Sequence, residues 1–463
     1  MKTKTKWLAI FLAMGLVLAA CGGDGGSTTT TEAETTATTA AAATTTTAAE
    51  TTDTTAGEMT IATDIGVDLE AGTITVGLLS DLTGVFSALV KPVVAGYQIA
   101  IDDLNARGGI NGLMVELEIR DTVYQLDTHV QAYEELRDSV VTIGHSTGSP
   151  HTNAIRELLA EDNMFAVPLS WYSGWTDPAI NANVLPHGEP YCFEALNVLG
   201  YIVAENPDAA TIAIASNAGD FGQDSAQGAK LAATELGLEV VYDGEGKINA
   251  ADEATIAEVV TGIVSNPADI VWVTTSPTAY AGIYGQALAN GVVATWSGSA
   301  VAWVPSFLGP EPAGFADAVQ RDWIFALPYS PWGADNPGTK AAVEMLTAAD
   351  PEITPFDYYL EGVGEAILLE KILNDAYDSG DMTRAGVLAA AKGLTEFTTD
   401  GLWPDQSFAG EPNDIVGRTA IMVKPSVADI AAGNSGVEIL DPAYTSDIAA
   451  AYQFDETCFD AFG

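Results

Sequence analysis

Residues Ile74–Asp121 read ITVGLLSDLTGVFSALVKPVVAGYQIAIDDLNARGGINGLMVELEIRD, and the apolar period changes twice along them. Ile74-Thr75-Val76-Gly77-Leu78-Leu79 is a β-rich run that stops at the loop Ser80–Gly84. Val94, Tyr97, Ile101 and Leu104 then recur at spacings of 3, 4 and 3, one face of a helix. Gly108-Gly109 closes that helix where its C-terminus needs a positive φ. Asn111-Gly112 turns the chain into Val115–Arg120, apolar at every second position, which is a strand.

Outward from this unit the alternation continues. A helix is expected over Thr128–Arg137, a strand at Val140–Ile143, a helix over Thr152–Ala160 and a strand at Phe165–Leu169. A second series follows: strand Thr211–Ala215, helix Ser225–Leu236, strand Glu239–Tyr242, helix Thr255–Ile263, strand Ile270–Thr274 and helix Ala279–Asn290. After Trp323 come a short β-rich run, Ile324–Leu327, and helical stretches at Thr339–Ala348, Tyr358–Tyr377 and Thr383–Ala391. Strands that alternate with helices make parallel sheets covered on both faces, so the fold class is α/β with two doubly wound lobes. Ligands of such sheets sit beyond the carboxyl ends of the strands. The loops to watch are therefore Ser80–Phe86, His145–His151, Ser170–Trp175, Asn217–Gly222, Ser276–Thr278 and Ser297–Trp303.

The start of the chain is of another kind. MKTKTK, an apolar stretch Trp7–Leu16 and small residues before Cys21 form an export signal, too short for a membrane span. The run Leu18-Ala19-Ala20-Cys21 resembles the bacterial lipobox, so lipidation of Cys21 and a tether on the outer face of the cytoplasmic membrane are expected. The Thr- and Ala-rich stretch that follows lacks aromatic residues to nucleate a core, and residues 22–72 are assigned to a disordered linker. With 63 Asp+Glu against 17 Lys+Arg, the net charge of −46 speaks against nucleic acid as a partner. Cys192 and Cys458 remain, either bridged in this oxidising compartment or separate thiols.

Gly144-His145-Ser146-Thr147-Gly148 matches G-x-S-x-G, the nucleophile elbow of secreted serine hydrolases. A histidine base late in the chain is missing, because only His151 and His187 follow Ser146 and none lies beyond them. The segment reads better as hydroxyl-bearing chain opening a helix, with N–H groups for a carboxylate or amide oxygen. Scattered histidines with no H-E-x-x-H or paired C-x-x-C give no metal site of recognisable spacing. No glycine-rich phosphate loop calls for a cofactor. Trp171-Tyr172-Ser173-Gly174-Trp175, by contrast, gathers aromatic rings at a strand end, where they can wall a small ligand.

These residues resemble substrate-binding proteins of branched-chain amino acid ABC importers, which have the type 1 periplasmic-binding fold. The likeness runs from Thr73 to the C-terminus. It rests on the P/DLTG-like loop, A-G-x-x-x-A-x-x-x-[IL]-N and G-G-[IV]-N-G of the first unit. VVTIGHSTGS, FAVPLS, IAIASNAGDFGQDSAQGAK and IVWVTTSPTAYAGIYGQA support it. The resemblance implies that hydroxyls and N–H groups at Gly148, Ser149, Ser170 and Tyr172 hold a ligand carboxylate, with Trp171 alongside. It implies too that Phe221, beside Asp220, closes from the second lobe. Near Ser276 and Ser299, amino-acid binders would offer a tyrosine and an acid, so an amide or another small polar metabolite remains open. The family's crossings place 72–190 and 325–418 in the first lobe and 191–324 and 419–463 in the second, which brings Cys192 and Cys458 into one lobe. A non-enzymatic monomer without cofactor is expected, capturing a small polar ligand for an ABC permease. A ligand-sensing receptor subunit and a hydrolase using Ser146 are the alternatives.

Overall fold

The computed structural model describes residues 60–177 and 183–461. The signal, Cys21 and the linker up to residue 59 lie outside the described residues. The first series is β1 (Ala62–Thr63), β2 (Val67–Asp68), β3 (Thr73–Ser80), α1 (Ser87–Ala106), β4 (Met114–Asp121), α2 (Leu126–Leu136), β5 (Ile143–Thr147), α3 (Ser149–Glu161) and β6 (Ala166–Leu169). Its parallel strands lie in the order β4-β3-β5-β6, with β2 antiparallel at the start of β3. β3 is central and buries Ile74, Val76, Leu78 and Leu79 on both faces, which is why it reads as a nearly continuous apolar run.

The second series is α4 (Tyr191–Glu205), β7 (Thr211–Asn217), α5 (Asp220–Leu236), β8 (Glu239–Ile248), α6 (Glu253–Ser265), β9 (Ile270–Thr274), α7 (Pro277–Ala289) and β10 (Thr295–Ser297). Its parallel order β8-β7-β9-β10 repeats that of the first sheet. The two doubly wound sheets read from the sequence are therefore present. Each has its switch point between two neighbouring central strands, where strand-end loops part and leave a crevice.

The chain continues through α8 (Phe315–Asp322), β11 (Phe325–Leu327), α9 (Pro337–Ala349), α10 (Asp357–Ser379), β12 (Asp381–Met382), α11 (Arg384–Lys392), β13 (Ala420–Pro425) and β14 (Val437–Tyr444). β11, β13 and β14 form a third, antiparallel sheet that the alternation did not announce. Phe325 and Leu327 of β11 pack in one core with Trp296, Trp303 and Trp323 of the second series.

α10 returns to the first sheet and crosses α1 with almost no separation. A Cβ on Gly96 would stand 2.1 Å from Tyr359 O, and one on Gly362 would stand 1.9 Å from Val93 O. Only glycine at both positions lets the two backbones touch. This crossing carries Tyr358, Glu361 and Glu365 to the underside of the strand ends.

Two expectations need correction, and one helix lies where the sequence analysis placed no element. The strand predicted at Val140–Ile143 runs instead over Ile143–Thr147, because the polar side chains of His145 and Ser146 find buried partners and let the pairing continue. Helix α4, full of buried residues, was not foreseen at all. Residues 60–72, assigned to the linker, belong to the folded body: β1 pairs with β12, β2 with β3, and the Arg384 N–H donates to Asp64 Oδ1 at 2.9 Å. Ile61 and Val67 are the apolar anchors of a stretch too short to show a period. At the other end of the chain, a disulfide joins Cys192 in α4 to Cys458, their Cα atoms 6.4 Å apart.

Candidate functional site

Strand-end loops of both sheets line one cavity of about 380 Å³, counting all space free of atoms. Phe86 enters it from the β3–α1 loop, which Asp81 holds by accepting the N–H groups of Gly84 (2.5 Å) and Phe86 (2.8 Å). Leu89 and Val90 follow on α1. Tyr124 comes from the loop after β4, where Val123 and Tyr124 both take left-handed backbone, φ 53° and 51°. Two consecutive non-glycine residues in that region cost about 1–3 kcal/mol each and concentrate at ligand sites. The strain turns the Tyr124 ring onto Phe86, 4.6 Å between centroids, and onto His151, 4.2 Å. Leu169 ends β6 and Trp171 lies just beyond it, Phe221 opens α5, Val301 follows β10 and Tyr358 opens α10.

The polar end lies at Thr147-Gly148-Ser149, where β5 passes into α3. Gly148 has φ 96°, and a Cβ there would stand 2.8 Å from both His151 Nδ1 and the Tyr124 ring, so no other residue fits. The first N–H groups of α3 face outward from the helix start, except at Pro150, which has none. Trp175 Nε1–H donates to Ser170 Oγ (3.0 Å), and Ser170 lies 2.5 Å from Ser149 Oγ. Either serine can donate in that bond, and Ser149 lines the cavity. The Tyr191 hydroxyl joins the two serines. Among the described residues no Asp, Glu, Lys, Arg or His lines the space.

Of the expected site residues, Gly148, Ser149, Trp171 and Phe221 line the cavity, and Ser170 supports it from behind. Tyr172 does not: its hydroxyl donates to Phe459 O (2.8 Å), holding the C-terminal segment. Asp220 accepts the Asn153 amide (2.7 Å) across the gap between the two series, and burial pushes its carboxyl up to about 6. Ser276 is a buried residue at the start of α7. Ser299 sits in a second space of about 190 Å³ behind Trp171 and Tyr191. Tyr191, Tyr358, Tyr124, Leu89 and Val90 were missed. Phe86, Thr147 and Val301 fall within loops singled out in advance.

The second space contains an acid the sequence did not reveal. Glu194 reaches from α4 to accept the Ala300 N–H (2.7 Å), and burial holds its carboxyl well above the usual range. Glu189 beside it is pushed by burial to about 8, against one hydrogen bond from Asn197. Glu189 Oε1 and Trp171 Nε1 are buried there without a hydrogen-bond partner.

Ser146 has a histidine after all. His129, upstream in the chain, places Nε2 3.2 Å from Ser146 Oγ, while Thr152 Oγ1 is 2.7 Å away. The pair lacks the rest of a hydrolytic site. His129 Nδ1 meets no acid, burial pushes the ring down to about 3, and both side chains are buried outside the cavity.

A family model described as periplasmic binding protein matches residues 73–424. No curated protein sequence matches the chain. Among solved structures, a fatty acid ABC transporter substrate-binding protein from Thermomonospora curvata is 25% identical, with 85% of this chain and 97% of that one covered and a TM-score of 0.76. A branched-chain amino acid ABC transporter protein from Thermus thermophilus with bound valine is 18% identical, covering 81% and 97%, with a TM-score of 0.68. A solute binding protein from R. palustris in complex with 4-hydroxybenzoate is 16% identical, covering 81% and 97%, with a TM-score of 0.67. Fold, cavity and family match agree, and the chain belongs to the periplasmic binding protein family.

Proposed function

We propose that this protein captures a small molecule with an apolar body and one hydrogen-bonding head, a monocarboxylate or its amide, and delivers it to an ABC permease. The observation that carries the reading is the cavity wall: aromatic and aliphatic side chains all round, hydroxyls and N–H groups at one end, and no charged residue among the described ones. A lone carboxylate fits donors at a helix start. A dianion would find no cation there, and the chain's charge of −46 disfavours it further. Anchoring through Cys21 on the outer face of the cytoplasmic membrane suits delivery; among the described residues no helix is long and apolar enough to cross a membrane. Binding without turnover accords with the incomplete surroundings of Ser146. A receptor subunit that reports the same ligand would use the same cavity.

A second reading, an α-amino acid, is favoured by Glu194 and Glu189 in the adjoining space, where an ammonium group would turn a neutral carboxyl into its counter-ion. Calorimetric titration with matched pairs, each monocarboxylate against the α-amino acid of the same side chain, separates the two. The first reading expects the monocarboxylate to bind more tightly and Glu194→Gln to leave that affinity in place. Preference for the amino acid, lost in Glu194→Gln, would establish the second.

A further inference from the structure

Behind the cavity wall lies a cluster that ligand capture does not use. Glu361 and Glu365 stand one turn apart on α10, both fully buried, and face His187 and His145. His145 Nδ1 lies 2.7 Å from Glu365 Oε2, and its Nε2 lies 2.8 Å from Thr147 Oγ1. If Thr147 donates to Nε2, His145 donates through Nδ1, which fixes one oxygen of Glu365 and leaves Oε1 with no partner. Among the described residues the Glu361 oxygens have no hydrogen bond of good geometry, and the donor turned towards them is the Trp403 indole N–H. His187 Nε2 faces two oxygens at once, Pro168 O at 2.9 Å and Glu361 Oε1 at 3.4 Å. A single N–H can satisfy only one of them.

Neither full ionisation nor full protonation satisfies this cluster. Two ionised carboxylates buried side by side without lysine or arginine repel and forgo solvation. Two neutral ones carry O–H groups, and three carboxyl oxygens remain without hydrogen bonds. A divalent cation answers both problems, since it neutralises two carboxylates and takes up lone pairs as ligands.

We propose that His187, Glu361 and Glu365 bind one first-row divalent metal ion, with Zn²⁺ as its probe. One nitrogen or oxygen from each lies within 4.8 Å of the others. Two ligands about 2.05 Å from a tetrahedral zinc stand about 3.3–3.4 Å apart, the separation of His187 Nε2 and Glu361 Oε1, 3.4 Å. The ion takes the place of the Nε2 proton, and Pro168 O is within reach as a further oxygen donor. His145 is then an outer partner that orients a ligating carboxylate. Its Thr147 contact, and the edge of His187 against Trp171 (5.7 Å), tie the metal to the cavity wall. The site escapes motif reading because its histidine and its glutamates come from distant parts of the chain.

The test uses the full chain made without a histidine tag, unfolded in EDTA and refolded with or without one equivalent of Zn²⁺. After desalting, elemental analysis should find close to one zinc per chain in the zinc-refolded protein, and its unfolding midpoint should be several degrees higher. Glu365→Gln and Glu361→Gln should lose both. Absence of retained zinc, or retention equal in these variants and hence located on the acidic surface, overturns the proposal. Should the variants fail to fold, zinc X-ray absorption on the wild-type protein decides. A light-atom shell with imidazole scattering supports the site, and a shell without imidazole refutes it.

Discussion

Ser149 concentrates what the site offers to a polar head: its own hydroxyl, linked to Ser170 and Trp175, and the start of α3. Replacing it by alanine should weaken ligand binding by about 1–3 kcal/mol, the loss of one hydrogen bond to a charged or strongly polar group. Phe221→Ala removes an aromatic wall that meets Tyr191 at 5.0 Å and Phe86 at 6.1 Å, and should weaken binding by a similar or larger amount. Tyr172→Phe is the contrasting case. It deletes the bond to Phe459 O, so calorimetry should show unchanged affinity while denaturant unfolding shows a loss of about 1 kcal/mol. Weakened binding in Tyr172→Phe would return that residue to the site. Gly148, Ser149, Trp171 and Phe221 were legible because each follows a strand in a loop with a mark of its own, a glycine, a hydroxyl or an aromatic ring. Glu194 and Tyr191 were not, because they sit in α4, where a run of buried residues hides any periodic face.

At the level of elements, the α1–α10 crossing decides where the cavity floor lies. Gly362→Ala would press a methyl group onto Val93 O, and backbone cannot yield as a flexible side chain does. A stability loss of about 3 kcal/mol is expected, with weaker ligand binding because Tyr358 moves with α10. Unchanged unfolding in Gly362→Ala would mean that the helices do not cross as described. The Cys192–Cys458 bridge closes a loop of 266 residues, so Cys458→Ser should cost about 2–4 kcal/mol. Helices and parallel strands could be read from their periods, whereas the partner of α1 lies more than 250 residues away and no local pattern points to it. The antiparallel β11–β13–β14 sheet escaped for a related reason: β11 is three residues long, and its partners come nearly a hundred residues later.

Across the molecule, buried carboxyls set the response to pH. Burial pushes Asp224 to about 7 despite hydrogen bonds from Ser173, Asp220 to about 6 and Asp357 to about 6, all above the unfolded value of about 3.8. The folded state therefore holds more protons at these groups, and their stabilisation is full below pH 4 and lost as pH rises through 6 and 7. His129, pushed down by burial to about 3, and His151, to about 4, act in the opposite sense: what they contribute is present above about 6.5 and lost as pH falls through 4. Asp224 alone should therefore favour pH 6 over pH 8 by about 1 kcal/mol in urea unfolding. Asp224→Asn should flatten that dependence and gain at pH 8. A stability difference between wild type and Asp224→Asn that does not fall from pH 6 to pH 8 would contradict the burial of this acid.

What enters the cavity can be read from a thermal-unfolding screen over small monocarboxylates, amides, amino acids, dicarboxylates and phosphates. A ligand at 100 times its Kd stabilises by about 2.7 kcal/mol, a clear shift of the midpoint. Molecules with an apolar body and one polar head should shift it, and Ser149→Ala should diminish the shift. A screen in which only dicarboxylates or phosphates stabilise the protein, or in which Ser149→Ala responds as fully as the wild type, would contradict the proposed function.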